Sequence, residues 1–205
     1  LVAMLAQREI PLIEDDLYGD LPFSGMRPRT AKSFDKKGLV LLCDSFSKTL
    51  APGYRVGWCA PGQWQERVEL LKMVTTVATP TLPQMAIADF LANGGYEHHL
   101  RRIRKLYAEK VQRVSQAVGE FFPEGTRVTR PTGGYVLWLE LPLQVNSLEL
   151  FDRALAAGIS IAPGPLFSAK GKFTNFVRLS CGNPWTPQIE EALRTLGRMV
   201  GELAI

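Results

Sequence analysis

The sequence is poor in cysteine and histidine, the residues on which disulfide scaffolds and zinc sites depend. Its 205 residues include only three cysteines and two histidines. Cys43, Cys59 and Cys181 are odd in number and widely spaced in apolar segments, so we expect three buried thiols and no disulfide framework or zinc site. His98 and His99 have no other ligand residues at metal spacing, and we expect them at the surface or at a helix start.

Long hydrophobic runs and a strong charge imbalance are also missing. No apolar run reaches the roughly 20 residues that cross a bilayer, and no segment resembles a secretory signal. A hydrophobic content of 46% and a formal net charge of +4 fit a globular protein with a substantial core. We therefore expect no membrane partner and a cytoplasmic location.

Basic residues do gather at one place, between residues 98 and 110. Ile103, Leu106, Val111 and Val114 are spaced there as one helical stripe, which puts the arginines mainly on the other face. A solvated helix face is the favoured interpretation, and a DNA-contacting patch is the alternative.

The strongest chemical pattern in the chain surrounds one lysine. An apolar strand leads to Ser45, Ser47 and Lys48, and Arg55 follows in a loop that contains proline and glycine. A lysine amine can condense with an aldehyde, while serine hydroxyls and a planar guanidinium suit a phosphate dianion. The set favours a phosphate-bearing aldehyde as ligand. For a lone lysine, the alternative is a solvated surface charge.

A second pattern lies upstream, where a short apolar strand runs into Glu14, Asp15 and Asp16, with Tyr18 close behind. Open α/β sheets usually build ligand sites at the carboxyl ends of their strands. A pyridine cofactor needs a carboxylate at its ring nitrogen and a donor to its phenolic oxygen, and Asp15 and Tyr18 could supply these groups. The acidic run could also be a set of metal ligands or a solvated turn. Hard-cation sites usually gather more oxygen ligands than this run offers, so we expect no metal.

Together, the two segments resemble the fold-type-I pyridoxal-phosphate enzymes, in particular the aminotransferase class I and II family. The resemblance extends through nearly all of the chain. It implies that Lys48 is the catalytic residue and forms a Schiff base with pyridoxal 5'-phosphate. It also implies that Asp15 holds the pyridine nitrogen, that Tyr18 contacts the phenolic oxygen, and that Ser45 and Ser47 contact the phosphate.

The same resemblance assigns two arginines. Arg55 would be a further phosphate contact, and Arg178, in a strand-like segment, would bind the α-carboxylate of the substrate. For Arg178, the alternative is a strand-edge arginine in an ion pair.

Three later segments narrow the resemblance to the aminotransferase-like half of GntR-type regulators of the MocR class: residues 133–140, 159–168 and 178–185. In those proteins a winged-helix DNA-binding module precedes a domain that senses an amino acid or amine through pyridoxal phosphate, and homodimers are expected. Two alternatives stay open. One is a stand-alone aminotransferase, and the other is a folded remnant that binds no cofactor and serves as a structural or dimerising module.

The chain begins without an initiator methionine in a helix-like segment, so we expect a fragment of a longer protein that by itself binds cofactor weakly or not at all. The expected fold class is α/β. A partial large PLP-transferase domain, a three-layer α/β/α remnant over residues 1–95, is followed by a smaller α+β domain over residues 96–205. The predicted strands span residues 11–14, 39–43, 55–60, 127–129, 135–141, 159–162 and 176–180. The predicted helices span residues 63–76, 84–122 with a break near 93–95, 147–157 and 187–203.

Overall fold

A computed structural model describes all residues, 1–205, and divides them into two compact units, Leu1–Arg104 and Lys105–Ile205. The boundary between the units falls inside one helix, α4 below. The domain assignment 1–95 and 96–205 stays a prediction. None of the helices is both long and apolar enough to span a membrane.

The first unit contains a three-stranded sheet. Its strands are β1 (Leu12–Asp15), β2 (Val40–Ser45) and β3 (Gly57–Ala60), arranged in the order β1-β2-β3. β1 runs parallel to β2, and β3 runs antiparallel to it. The carboxyl ends of β1 and β2 and the start of β3 therefore lie at the same end of the sheet.

The central strand has the apolar side chains that this sheet buries. Val40 and Leu42 are buried on β2, whereas Ile13 on β1 is 72% exposed. Asp35 fixes the start of β2. Its carboxylate accepts hydrogen bonds from the N–H groups of Leu39 and Val40 and from the amine of Lys32. Burial acts to raise the pKa of Asp35, but these hydrogen bonds outweigh burial and hold the pKa at about 2.

Both outer strands of this sheet are open on one side. Cys59 lies on the outer strand β3 and is exposed, because no strand pairs with the far edge of β3. The expectation of three buried thiols was therefore wrong: Cys43 is partly buried, and only Cys181, in the second unit, is buried.

Four helices begin in the first unit: α1 (Val2–Gln7), α2 (Gln65–Thr76), α3 (Thr81–Ala92) and α4 (Gly95–Phe121). α3 begins three residues before the predicted start at 84. Pro83 lies in its first turn, where the missing N–H would have had no helical partner, so the proline does not end the helix. α2 has no buried residue, and α2 and α3 together expose a set of large apolar side chains: Leu70, Leu71, Met73, Val74, Leu82, Met85 and Leu91.

The second unit contains a four-stranded antiparallel sheet in the order β4-β5-β7-β6. Its strands are β4 (Arg127–Val128), β5 (Val136–Glu140), β6 (Ala162–Pro163) and β7 (Phe176–Ser180). The predicted strand at 159–162 was mostly wrong, because only residues 162 and 163 pair with β7.

The core of the second unit follows the two-residue period of its strands. Leu137 and Leu139 on β5 and Val177 and Leu179 on β7 are all buried, and the residues between them are not. Such alternation is typical of an antiparallel sheet with one face against helices.

Two capped helices complete the second unit: α5 (Ser147–Ala156) and α6 (Pro187–Leu203). The side chain of Asn146 accepts a hydrogen bond from the N–H of Leu148, and that of Thr186 accepts one from the N–H of Ile189. An α/β unit followed by a smaller α+β unit confirms the predicted fold class.

The apolar stripe predicted on α4 is confirmed except at one position. Ile103, Val111 and Val114 are buried, but Leu106 is 39% exposed.

Candidate functional site

The predicted cofactor-binding residues of the first unit lie at one end of its sheet. Asp15 is the last residue of β1 and pairs in register with Cys43 of the parallel strand β2. Ser45 ends β2 and pairs with Gly57, the first residue of β3. The sheet topology thus brings the acidic strand end and the serine-lysine segment to the same end of the sheet. Open α/β sheets bind ligands at the carboxyl ends of their strands.

The three acidic side chains of this run differ in their hydrogen-bond and ion-pair partners. The Glu14 carboxylate accepts hydrogen bonds from the N–H groups of Ala31 and Lys32, at 2.6 and 2.9 Å, and so fixes the loop that follows. Asp16 forms an ion pair with Arg27. Asp15 is exposed and its carboxylate has neither kind of bond. It is the acid of this run that is left to meet a ligand.

No group of three or more His, Cys, Asp or Glu side chains is arranged to hold a metal ion.

The lysine lies in a turn that directly follows β2. The Ser45 hydroxyl lies 2.8 Å from that of Ser47, accepts the N–H of Ser47 at 3.0 Å, and donates to the carbonyl of Val56 at 3.1 Å. Lys48 is partly buried, and its amine forms no hydrogen bond or ion pair. A local network of hydroxyls therefore shapes the turn while the amine stays available for chemistry.

Arg55 and Gly57 set the backbone on the other side of this turn. Arg55 is exposed and adopts the left-handed conformation, with φ 54°, which is uncommon for a residue with a side chain and is often found at functional sites. Its guanidinium donates to the carbonyl of Pro52 at 3.3 Å. At Gly57, an added Cβ would lie 2.7 Å from the carbonyl oxygen of Asp44. Only glycine lets β3 approach the end of β2 so closely.

A residue that the sequence analysis missed, Arg27, links the Tyr18 loop to the end of β2. Its guanidinium pairs with Asp16 and, at 2.6 Å, with Asp20, and it lies 3.7 Å from Asp44. Burial raises the pKa of Asp44, the charges of Asp20 and Asp16 add to that rise, and Arg27 opposes it. Tyr18 lies inside this loop and is 39% exposed.

The turn that carries Lys48 is also anchored to the start of α4. The hydroxyl of the buried Thr49 lies 3.0 Å from that of Tyr96, and the carbonyl of Thr49 lies 2.8 Å from Nε2 of His99. Tyr96 donates to Asp20, and burial is the main reason why its pKa is raised to about 12. His99, expected at the surface or at a helix start, lies in the first turns of α4 and is partly buried, whereas His98 is exposed.

Arg178, the predicted carboxylate-binding residue, belongs to the second unit. It lies on the inner strand β7, in register with Trp138 and Ala162. Its side chain forms no ion pair, and its guanidinium carbon lies 4.7 Å from the centre of the Phe167 ring. The alternative of an ion-paired arginine at a strand edge was therefore wrong.

Comparison with known proteins identifies the family. The sequence profile described as "Aminotransferase class I and II" matches residues 1–196. An uncharacterised HTH-type transcriptional regulator of Escherichia coli, YjiR, is 41% identical over 200 residues, which cover 97% of this chain and 43% of the regulator. The 2-aminoadipate transaminase of Thermus thermophilus is 35% identical over 212 residues, which cover 100% of this chain and 53% of that enzyme.

Solved structures agree with the sequence comparison. The crystal structure of LysN, an α-aminoadipate aminotransferase from Thermus thermophilus in complex with N-(5'-phosphopyridoxyl)-L-leucine, superposes with a TM-score of 0.91. It is 32% identical in sequence, and the match covers 98% of this chain and 53% of LysN. The fold is that of fold-type-I aminotransferases, and the chain spans about half the length of the relatives it matches. The chain belongs to the aminotransferase class I and II family.

Proposed function

We propose that this chain is the pyridoxal-phosphate-binding, aminotransferase-like effector domain of a GntR/MocR-type transcription regulator. The observation that carries the proposal is the convergence of Asp15, Ser45 and Lys48 at one end of the sheet, where the Asp15 carboxylate and the Lys48 amine form no hydrogen bond or ion pair. Identity to HTH-type regulators of 41% and 40% supports the regulatory role.

The chemistry of the donor set fits the ring of this cofactor. Bound pyridoxal phosphate supplies an aldehyde that condenses with amines and a pyridinium ring that delocalises negative charge. Asp15 would hold the proton on the ring nitrogen, and Tyr18 would contact the phenolic oxygen. The amine of Lys48 would condense with the aldehyde and, once released, would act as a general base and acid.

The donors around the turn fit the phosphate. Ser45 and Ser47 lie within hydrogen-bond distance of each other, and each hydroxyl can turn its proton toward an anion. Arg55 has an exposed guanidinium with a single long hydrogen bond, so it can exchange that bond for a bidentate contact with phosphate oxygens.

Arg178 would bind the carboxylate of an amino-acid effector. That arginine has no competing acidic partner, and stacking on Phe167 limits the orientations of its planar side chain. Removing this contact should weaken the binding of amino acids without weakening the binding of the cofactor.

The remaining parts of the proposal concern macromolecular partners. DNA would be bound by an N-terminal winged-helix module of the kind implied by the HTH-type relatives, in a cytoplasmic protein. Homodimerisation is also part of the proposal, and the apolar side chains exposed on α2 and α3 support contact with further protein surface.

The central experiment is to trap the cofactor on one lysine. The intact protein that contains this chain is mixed with excess pyridoxal 5'-phosphate and reduced with borohydride, which converts a reversible amine–aldehyde link into a stable one, and the labelled peptides are identified by mass spectrometry. We expect the label on Lys48 and its loss in Lys48→Ala, while the matched variant Lys72→Ala, which removes an exposed lysine of α2, keeps it. Labelling spread evenly over the exposed lysines would refute the assignment.

A stand-alone aminotransferase is the second candidate function. The 2-aminoadipate transaminase and the LysN structure favour it. The intact protein that contains this chain distinguishes the two. In a regulator, an amino acid changes the affinity for DNA without repeated turnover of a 2-oxo acid, whereas in an aminotransferase 2-oxo acid accumulates over many turnovers and DNA affinity is unaffected.

A further inference from the structure

Two cysteines face each other across neighbouring strands of the first unit. Cys43 on β2 and Cys59 on β3 are direct partners in the antiparallel register, and their sulfur atoms lie 3.6 Å apart. Because they oppose each other, both side chains project from the same face of the sheet.

The register places this pair where a disulfide fits. The N–H of Phe46 donates to the carbonyl of Val56 at 3.1 Å, so these two residues form a hydrogen-bonded pair. Hydrogen-bonded and non-hydrogen-bonded pairs alternate along antiparallel strands, and Cys43–Cys59 lies three steps away, so it is a non-hydrogen-bonded pair. Cα atoms in such pairs lie about 4.5 Å apart. This separation falls within the roughly 4.4–6.8 Å that disulfides span.

The two thiols differ in a way that sets the order of reaction. Cys59 is exposed, whereas Cys43 is only partly accessible. Burial, together with the neighbouring Cys59 and the charge of Asp15, raises the pKa of Cys43 to about 11. Since the thiolate is the nucleophile, Cys59 is the thiol that meets an oxidant first, and Cys43 is the one that resolves the adduct.

We propose that Cys43 and Cys59 are a modification site that a small-molecule disulfide of the glutathione type converts reversibly to a cross-strand disulfide. The Cys59 thiolate attacks one sulfur of the small disulfide, a mixed disulfide forms, and one small thiolate leaves. The sulfur of Cys43 loses its proton and attacks the Cys59 sulfur, and the second small thiolate leaves. Overall, two protein thiols are oxidised, one small disulfide is reduced to two thiols, and the protons end on those thiols.

The proposed Cys43–Cys59 disulfide does not depend on the proposed function, because the pairing of β2 with β3 alone positions both sulfur atoms. It does lie beside the candidate site, since Cys43 is in register with Asp15 and two residues before Ser45. The disulfide would join β2 to β3 directly below the turn that carries Lys48.

The third cysteine provides an internal control. Cys181 is 2% exposed, and burial is the first reason why its pKa is raised to about 12. It should react with neither the oxidant nor the other thiols while the protein is folded.

The test is to incubate the folded chain with oxidised glutathione, count thiols after denaturation, and map peptides without reduction. We expect two of the three thiols to be lost, a linked peptide pair that contains Cys43 and Cys59, and full recovery with a reductant. Three retained thiols, a linkage to Cys181 or between chains, or a stable glutathione adduct on Cys59 of the unsubstituted protein would each overturn the proposal.

Single substitutions separate the two steps. Cys43→Ser should stop at a stable glutathione adduct on Cys59, and Cys59→Ser should keep both remaining thiols. Cys181→Ala should still form the disulfide. Circular dichroism of each variant checks that it is folded, and because Cys59 is exposed, Cys59→Ser tests the site even if Cys43→Ser is unstable.

Discussion

The two units differ in how they use their apolar residues. Most of the buried apolar side chains belong to the second unit, in which Leu137, Leu139 and Leu150 have no exposed surface. Most of the exposed large apolar side chains belong to the first unit, and Leu82 is 80% exposed. The second unit therefore specifies its own core, whereas polar contacts account for more of the local order of the first.

The largest expected effect tests the core of the second unit. Leu150→Ala removes a fully buried side chain of α5 and should lower the free energy of unfolding by about 2–5 kcal/mol. Leu82→Ala, the matched substitution on α3, should change it by less than about 0.5 kcal/mol, because that side chain is already in water. Urea denaturation measures both. Equal losses would break the comparison.

The next effect tests the polar order of the first unit. Arg27→Met leaves Asp16 and Asp20 without their cation and should cost about 1–3 kcal/mol at pH 7, toward the lower end because the arginine is partly exposed. Urea denaturation at pH 7 measures the loss.

The control for Arg27 lies in the second unit. Arg153→Met removes an exposed ion pair with Glu149 and should cost less than about 1 kcal/mol at pH 7. A loss for Arg27→Met that is equally small would contradict a role in holding the Tyr18 loop.

The smallest effect concerns the start of β2. Asp35 has a pKa of about 2 in the folded protein, below its ordinary value of 3.8, so it stabilises the fold above pH 4 and loses that contribution as pH falls toward 2. Asp35→Asn should cost about 1–2 kcal/mol at pH 7 and progressively less below pH 4. Acid titration of stability measures it, with the exposed Asp152→Asn of α5 as a control that should change the free energy of unfolding at pH 7 by less than about 0.5 kcal/mol.

Local sequence signals predicted the second unit more closely than the first. α6 spans the predicted residues 187–203, because Thr186 caps it and Pro187 occupies its first position. β7 spans the predicted residues 176–180, because its apolar residues alternate. The strand predicted at 159–162 failed because an apolar alternation does not say which residues find a partner strand.

The residues of the candidate site could also be predicted only in part. The strand ends and the lysine turn could be predicted, since their residue types lie close together in the chain. Arg27 could not, because its acidic partners are 7 and 11 residues away with no periodic pattern between them. Tyr96 reaches Thr49 across 47 residues, and only the folded chain brings them together.

Arg55 has a backbone conformation that is unfavourable for a residue with a side chain. Its left-handed conformation is one that glycine adopts freely and that other residues adopt at a cost of about 1–2 kcal/mol. Arg55→Gly would therefore relieve the backbone cost of this loop and at the same time remove the guanidinium that the proposed function assigns to a phosphate.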